Sequence, residues 1–211
     1  MKAPALLAAV VCLGVLLPSP TAGQVTAGFT FGLNFASLHG DDVSDDLDGR
    51  TGIILGGFIE KALTDQFSIQ PELRYAQKGA TDSGSSFDVT LKIDYIEVPV
   101  LLKVNFPTEG QVSPHLLVGP VFGFNSGCTI SGDDSEGSVD QDCEDDDIDP
   151  ASFELSGMVG GGVSFPAGPG EVTFGARYQL GLTNVNDTEG DDEAKLRAFS
   201  LVASFGFPVG G

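Results

Sequence analysis

Six charged residues stand out by their setting: Glu72, Arg74, Glu97, Lys103, Glu154 and Arg177. Each lies in a segment whose neighbours on either side are apolar or small. Carboxylates and cations gathered in such surroundings have two uses. They can line a gated polar path, or they can pair and close it, because a buried charge needs a partner. The expectation here is an ion-pair network that plugs an interior, with no polar path left open.

Other chemistry is thinly supplied. Once a leader is set aside, Cys128 and Cys143 are the cysteines that remain, both in one polar stretch, and a disulfide between them is expected in an oxidising compartment. His39 and His115 are the two histidines, and neither has a Ser and acid constellation beside it for lipid hydrolysis. The chain is therefore read as a non-enzyme without a cofactor. The run Asp133, Asp134, Glu136, Asp140, Asp142, Glu144 to Asp147 and Asp149 offers oxygen ligands for Ca²⁺. It lacks the ordered D-x-[DN]-x-[DN]-G spacing, so loose bridging by divalent cations is expected instead of a built metal site.

The elements that must position these residues alternate in steps of two. In 67–79, Phe67, Ile69, Leu73 and Tyr75 share one side while Gln70, Glu72, Arg74 and Lys78 share the other. A strand sends successive side chains to opposite faces. The same pattern recurs in 28–38, 50–63, 89–106, 112–125, 151–165, 171–182 and 194–207, although Ile53, Ile54 and Leu55 blur the second segment. Tight turns at 64–66, 107–111 and 166–170 trade places with polar connections at 39–49, 80–88, 126–150 and 183–193. Eight such segments predict an all-β, eight-stranded antiparallel up-and-down barrel. Pro71, Pro99 and Pro120 remove ladder donors from neighbouring strands, so bulges or gaps are expected there, and a bulge at Pro99 would flip the facing beyond it.

The facing is inside out for water. The apolar sets are nearly pure Phe, Leu, Ile, Val and Tyr, while the polar sets are Gly, Ser, Thr, Asn and Gln with the six charges. A Phe-rich exterior suits lipid, and small polar residues suit a narrow lumen. The expected fold is thus a transmembrane β-barrel, apolar outside and polar inside. The four long connections hold 22 of the 30 Asp and Glu residues. In an up-and-down barrel they emerge at one end, which outer-membrane barrels turn outward. A net charge of −20 argues against a nucleic-acid partner. Residues 1–23 read as a secretory signal: Lys2, an apolar run at 5–17, and small residues Thr21-Ala22-Gly23 for cleavage, with cleavage after Ala27 as the alternative. Residues 24–211 are then the barrel, located in the bacterial outer membrane, with outer-membrane lipids and the barrel assembly machinery as partners.

Two strands also carry a resemblance. Gln70-Pro71-Glu72-Leu73-Arg74-Tyr75-Ala76-Gln77-Lys78-Gly79 and Asp94-Tyr95-Ile96-Glu97-Val98-Pro99-Val100-Leu101-Leu102-Lys103 resemble the PorT-like outer membrane β-barrel family, as do Gly119-Pro120 and 177–184. The resemblance implies an eight-stranded outer-membrane barrel. Its name-giving member assists protein secretion, which makes transport or secretion assistance an alternative to a structural or interaction role. Such barrels often end on an aromatic that assembly machinery recognises; here Phe205 and Phe207 are followed by Pro208-Val209-Gly210-Gly211.

Overall fold

A computed structural model describes residues 24–39, 47–83, 88–134, 137–143, 151–183 and 195–209. The described elements are β1 (Val25–His39), β2 (Leu47–Ala62), β3 (Phe67–Ser83), β4 (Asp88–Asn105), β5 (Ser113–Asp134), β6 (Gly137–Asp142), β7 (Phe153–Ala167), β8 (Gly170–Gly181) and β9 (Lys195–Pro208). The strands run β4-β3-β2-β1-β9-β8-β7-β5, and β4 also pairs with β5. That last pairing closes an eight-stranded antiparallel barrel, as the alternation predicts.

Closure joins the first and last strands. Facing outward, Phe29 and Phe35 stack beside Phe205 and Phe199, with ring centroids 5.8 and 6.3 Å apart. Facing inward, Ser204 donates to Thr30 at 2.8 Å and Ser200 donates to Asn34 at 2.9 Å. Aromatic pairs of this kind add roughly 0.5–1.5 kcal/mol beyond area burial. The β7–β8 turn is two residues long, Gly168-Pro169, and Gly168 takes a positive φ of 61°. Positive φ at the first turn residue is what a short hairpin requires and what glycine supplies without strain.

The barrel wall sorts side chains by solvent. Phe31, Leu55 and Phe174 are each more than half exposed, and Leu33, Leu73, Leu116, Val159 and Leu201 share that outer face. Arg74, Lys78, Glu97, Glu154, Arg177 and Gln179 are buried inside. Apolar out and charged in is the arrangement a bilayer selects. Within β2, Ile53 and Leu55 face out while Ile54 is buried, so the blurred run keeps strict alternation.

The prolines create gaps, not bulges. Pro71 lacks a β2 partner between Phe58↔Glu72 and Lys61↔Ile69. Pro99 meets a break in the β3–β4 ladder between Pro71↔Val100 and Arg74↔Glu97. Pro120 meets one in the β4–β5 ladder between Pro99↔Val121 and Leu102↔Val118. Register is unchanged across each break, so Leu101 and Lys103 stay buried and Leu102 stays exposed. Register shifts lie elsewhere, in β2–β3 between Gly49 and Ile54 and in β4–β5 between Asp94 and Tyr95, where Ser126 of β5 is the extra residue. Its hydroxyl donates to the Asp94 carbonyl at 3.1 Å.

The stretch 126–150 departs from the expected loop. β5 continues to Asp134, and β6 returns along it from Asp134↔Gly137 to Thr129↔Asp142. The first half of that connection is a hairpin rising past the barrel, where β5 has already parted from β7 at Phe124↔Phe153. Likewise β3 and β4 run on to Ser83↔Asp88, leaving only 84–87 between them.

Candidate functional site

Inside the barrel, the even-numbered residues of β3 face the odd-numbered residues of β4, because Arg74 and Glu97 are ladder partners. Arg74 Nε lies 2.7 Å from Glu97 Oε2. Lys78 Nζ bridges two acids, 2.8 Å from Glu97 Oε1 and 2.9 Å from Glu154 Oε2. Gln179 ties the group together: it accepts from Arg74 Nη2 at 2.7 Å and donates to Glu97 Oε1 at 2.9 Å. Ser156 donates a short hydrogen bond to Glu154. Lys78 also sits 4.7 Å above the Tyr95 ring, and Tyr95 packs with Ile93 and Leu196 as an apolar lid on the side of the long connections.

Below this cluster, toward the tight turns, Glu72 accepts from Gln70 and from Arg177, each at 2.7 Å. Lower still, Lys103 Nζ pairs with Glu60 at 2.9 Å. Four cations thus meet four carboxylates in three tiers. In a low-dielectric interior, removing one member of such a group strands its partner, which costs more than the pair contributes net.

All six charged residues singled out in the sequence face the lumen. They form no single network: Arg74, Glu97 and Glu154 belong to the top tier, Glu72 and Arg177 to the middle one, and Lys103 to the lowest. Lys78, which joins Glu97 to Glu154, was absent from that set of six, as were Glu60 and Gln179. Lys78 was legible by its phase in β3, but its two partners depend on β4 and β7 register that alternation alone does not encode.

Beneath the tiers the lumen opens into a vestibule of about 530 Å³ at the end of the tight turns. Gln70, Lys103, His115, Leu117, Ser164 and Arg177 are among the residues that line it. His115 is buried and faces inward, while the side chain of His39 lies outside the described residues. Cys128 on β5 and Cys143 after β6 are joined by a disulfide with their Cα atoms 5.5 Å apart, at the foot of the β5–β6 hairpin. Among the described residues no cluster of three or more His, Cys, Asp or Glu is placed to hold a metal. Glu136, Glu144 to Asp147 and Asp149 lie outside the described residues, as do residues 1–23.

A closed barrel with a lipid-facing apolar wall and a charged interior defines a membrane-embedded β-barrel of the outer-membrane type. Residues 19–187 match the outer membrane protein beta-barrel domain, and the chain belongs to that family. No curated protein sequence matches it. Among solved structures it is similar to Neisserial surface protein A from Neisseria, with 14% identity and a TM-score of 0.50 over 89% of this chain and 97% of that one. It is also similar to Ail, the attachment invasion locus protein of Yersinia pestis, with 16% identity and a TM-score of 0.44 over 89% of this chain and 100% of that one. At 14% identity the first likeness speaks for the shared fold alone.

Proposed function

We propose that this protein is a non-catalytic outer-membrane barrel whose work is structural or adhesive, done through its acidic long-connection end, with a lumen closed to solutes. The tier of Arg74, Lys78, Glu97, Glu154 and Gln179 carries this reading, because it spans β3, β4, β7 and β8 across the middle of the lumen. Eight strands enclose a lumen narrow enough for side chains to fill at this level. Residues 1–23 act as the cleaved leader and 24–211 as the mature barrel. Outer-membrane lipids and the barrel assembly machinery are its partners in place and in biogenesis. Divalent cations bridge the acidic connections to lipid phosphates loosely, since acids alone would be repelled.

Planar-bilayer recording tests the closed lumen. The purified barrel is expected to give no steady ohmic channel, and a large one would overturn the reading. The strand motifs that resemble the PorT-like family support a second reading, assistance to protein secretion. A deletion strain separates the two. Loss of secreted proteins from the medium favours secretion assistance, and envelope leakiness with normal secretion favours the structural role.

A further inference from the structure

We propose that the vestibule at the turn end binds a small monocarboxylate, gripped by Arg177 Nε and His115 Nδ1. Both side chains line the 530 Å³ cavity. They are only 4% and 5% exposed, and these two nitrogens are buried without a hydrogen-bond partner. An unmet buried polar atom costs about 1–3 kcal/mol, so a lasting pair of them in one cavity calls for a use, with His115 donating in the tautomer that carries its proton on Nδ1.

The chemistry of the two atoms names the ligand. Arg177 Nε carries a proton at every accessible pH, so whatever sits beside it must accept. Its Nη1 is already committed to Glu72 at 2.7 Å, which fixes the guanidinium, while Nε is left without a partner. Several neighbours in the cavity are engaged: Gln70 is on Glu72, Lys103 is on Glu60, and Ser164 and Thr173 meet at 2.8 Å. Glu60, Asp65 and Glu171 also line the cavity, yet no acceptor meets Arg177 Nε. A carboxylate supplies two acceptor oxygens and one negative charge.

The backbone is built around the same two residues. They stand on β5 and β8, on either side of β7, which presents Gly160-Gly161-Gly162 between them. A Cβ at Gly162 would come within 3.0 Å of His115 Cε1, and one at Gly160 within 3.0 Å of Arg177 Cγ. Only bare backbone lets both side chains lean over this strand. The mouth carries Asp65 and Glu171. Those acids repel a multiply charged anion more than one with a single negative charge. About 300–1,000 Å³ is the usual range for small-molecule sites, and the vestibule falls within it. The tiers above block onward passage, so the pocket holds its ligand from the turn side, which outer-membrane barrels turn to the periplasm.

The test uses the mature chain folded in detergent micelles and isotopically labelled, with acetate as the probe and inorganic phosphate as the multiply charged comparison. Acetate is expected to shift the His115 ring and Arg177 Nε signals saturably, with phosphate weaker. Arg177→Lys keeps a cation for Glu72 but removes Nε, and it should weaken acetate about tenfold, the loss of one charge-assisted hydrogen bond. His115→Phe should weaken it several-fold. If Arg177→Lys does not fold, His115→Phe alone decides. Linear, non-saturable shifts, tighter binding of phosphate, or unchanged affinity in the variant that folds would each overturn the proposal.

Discussion

Arg74 on β3 and Glu97 on β4 are direct ladder partners, and their side chains meet at 2.7 Å on the inner face of the barrel. The pair is fully enclosed, so neither charge has water to fall back on. Glu97→Leu leaves both Arg74 and Lys78 short of a partner. It should destabilise the barrel by about 3–5 kcal/mol, the range for breaking a buried pair. Urea titration of the folded protein in liposomes reads this directly. A double Arg74→Met, Glu97→Leu variant should recover part of the loss, because it removes a cation along with the acid.

Leu73 precedes Arg74 and points the other way, to lipid. Leu73→Arg should cost roughly 2–4 kcal/mol if the site lies near mid-membrane. Leu73→Phe should cost little, since the outer face has no tight packing to disturb. The same titration separates them, and equal costs would mean that this face does not meet lipid.

Cys128 and Cys143 tie the hairpin, and Cys128 packs against the Ile93, Tyr95 and Leu196 cluster. Cys128→Ser should loosen β5 beyond Ser126 and all of β6 by about 3 kcal/mol, the chain-entropy value for a loop of 15 residues. Amide exchange in 127–142 should rise while that in β1 and β9 stays unchanged. Alkylation and mass spectrometry of the untreated protein should find no free thiol.

Gly160 faces Arg177 across the β7–β8 ladder. Gly160→Ala would place a methyl 2.8 Å from the Ala176 carbonyl oxygen. That contact is with backbone, which cannot swing aside, so the variant should fold with a lower unfolding midpoint than wild type. Gly157→Ala, whose Cβ meets nothing within 4 Å, is the control and should be near neutral.

What was legible in the sequence follows from physics that acts residue by residue. Lipid and lumen demand opposite chemistries, and a strand alternates strictly, so the facing of Phe31, Leu73, Arg74 and Glu97 could be read from phase alone. What was hidden depends on two strands at once. Lys78 finds Glu154 only because β7 enters at a particular register. The β5–β6 hairpin reads as a polar connection in the sequence, since Gly127, Ser131, Gly132 and Asp133 suit turns, and pairing overrides that local preference. Of the two faults the prolines allow, a bulge or a gap, each takes the gap: it forfeits hydrogen bonds without adding a residue, so nothing slips.

The alternation of β3 has a consequence for the journey before the fold exists. A chain bound for the outer membrane must first be threaded through the inner one, where a span of about 18 or more apolar residues would lodge as a helix. In β3 the lipid-facing Phe67, Ile69, Leu73 and Tyr75 are separated by Glu72, Arg74 and, soon after, Lys78. Each ion buried in the lumen thus interrupts the greasy run while the polypeptide is still extended. The charges inside the finished barrel are also its passport through a membrane where it must not stay.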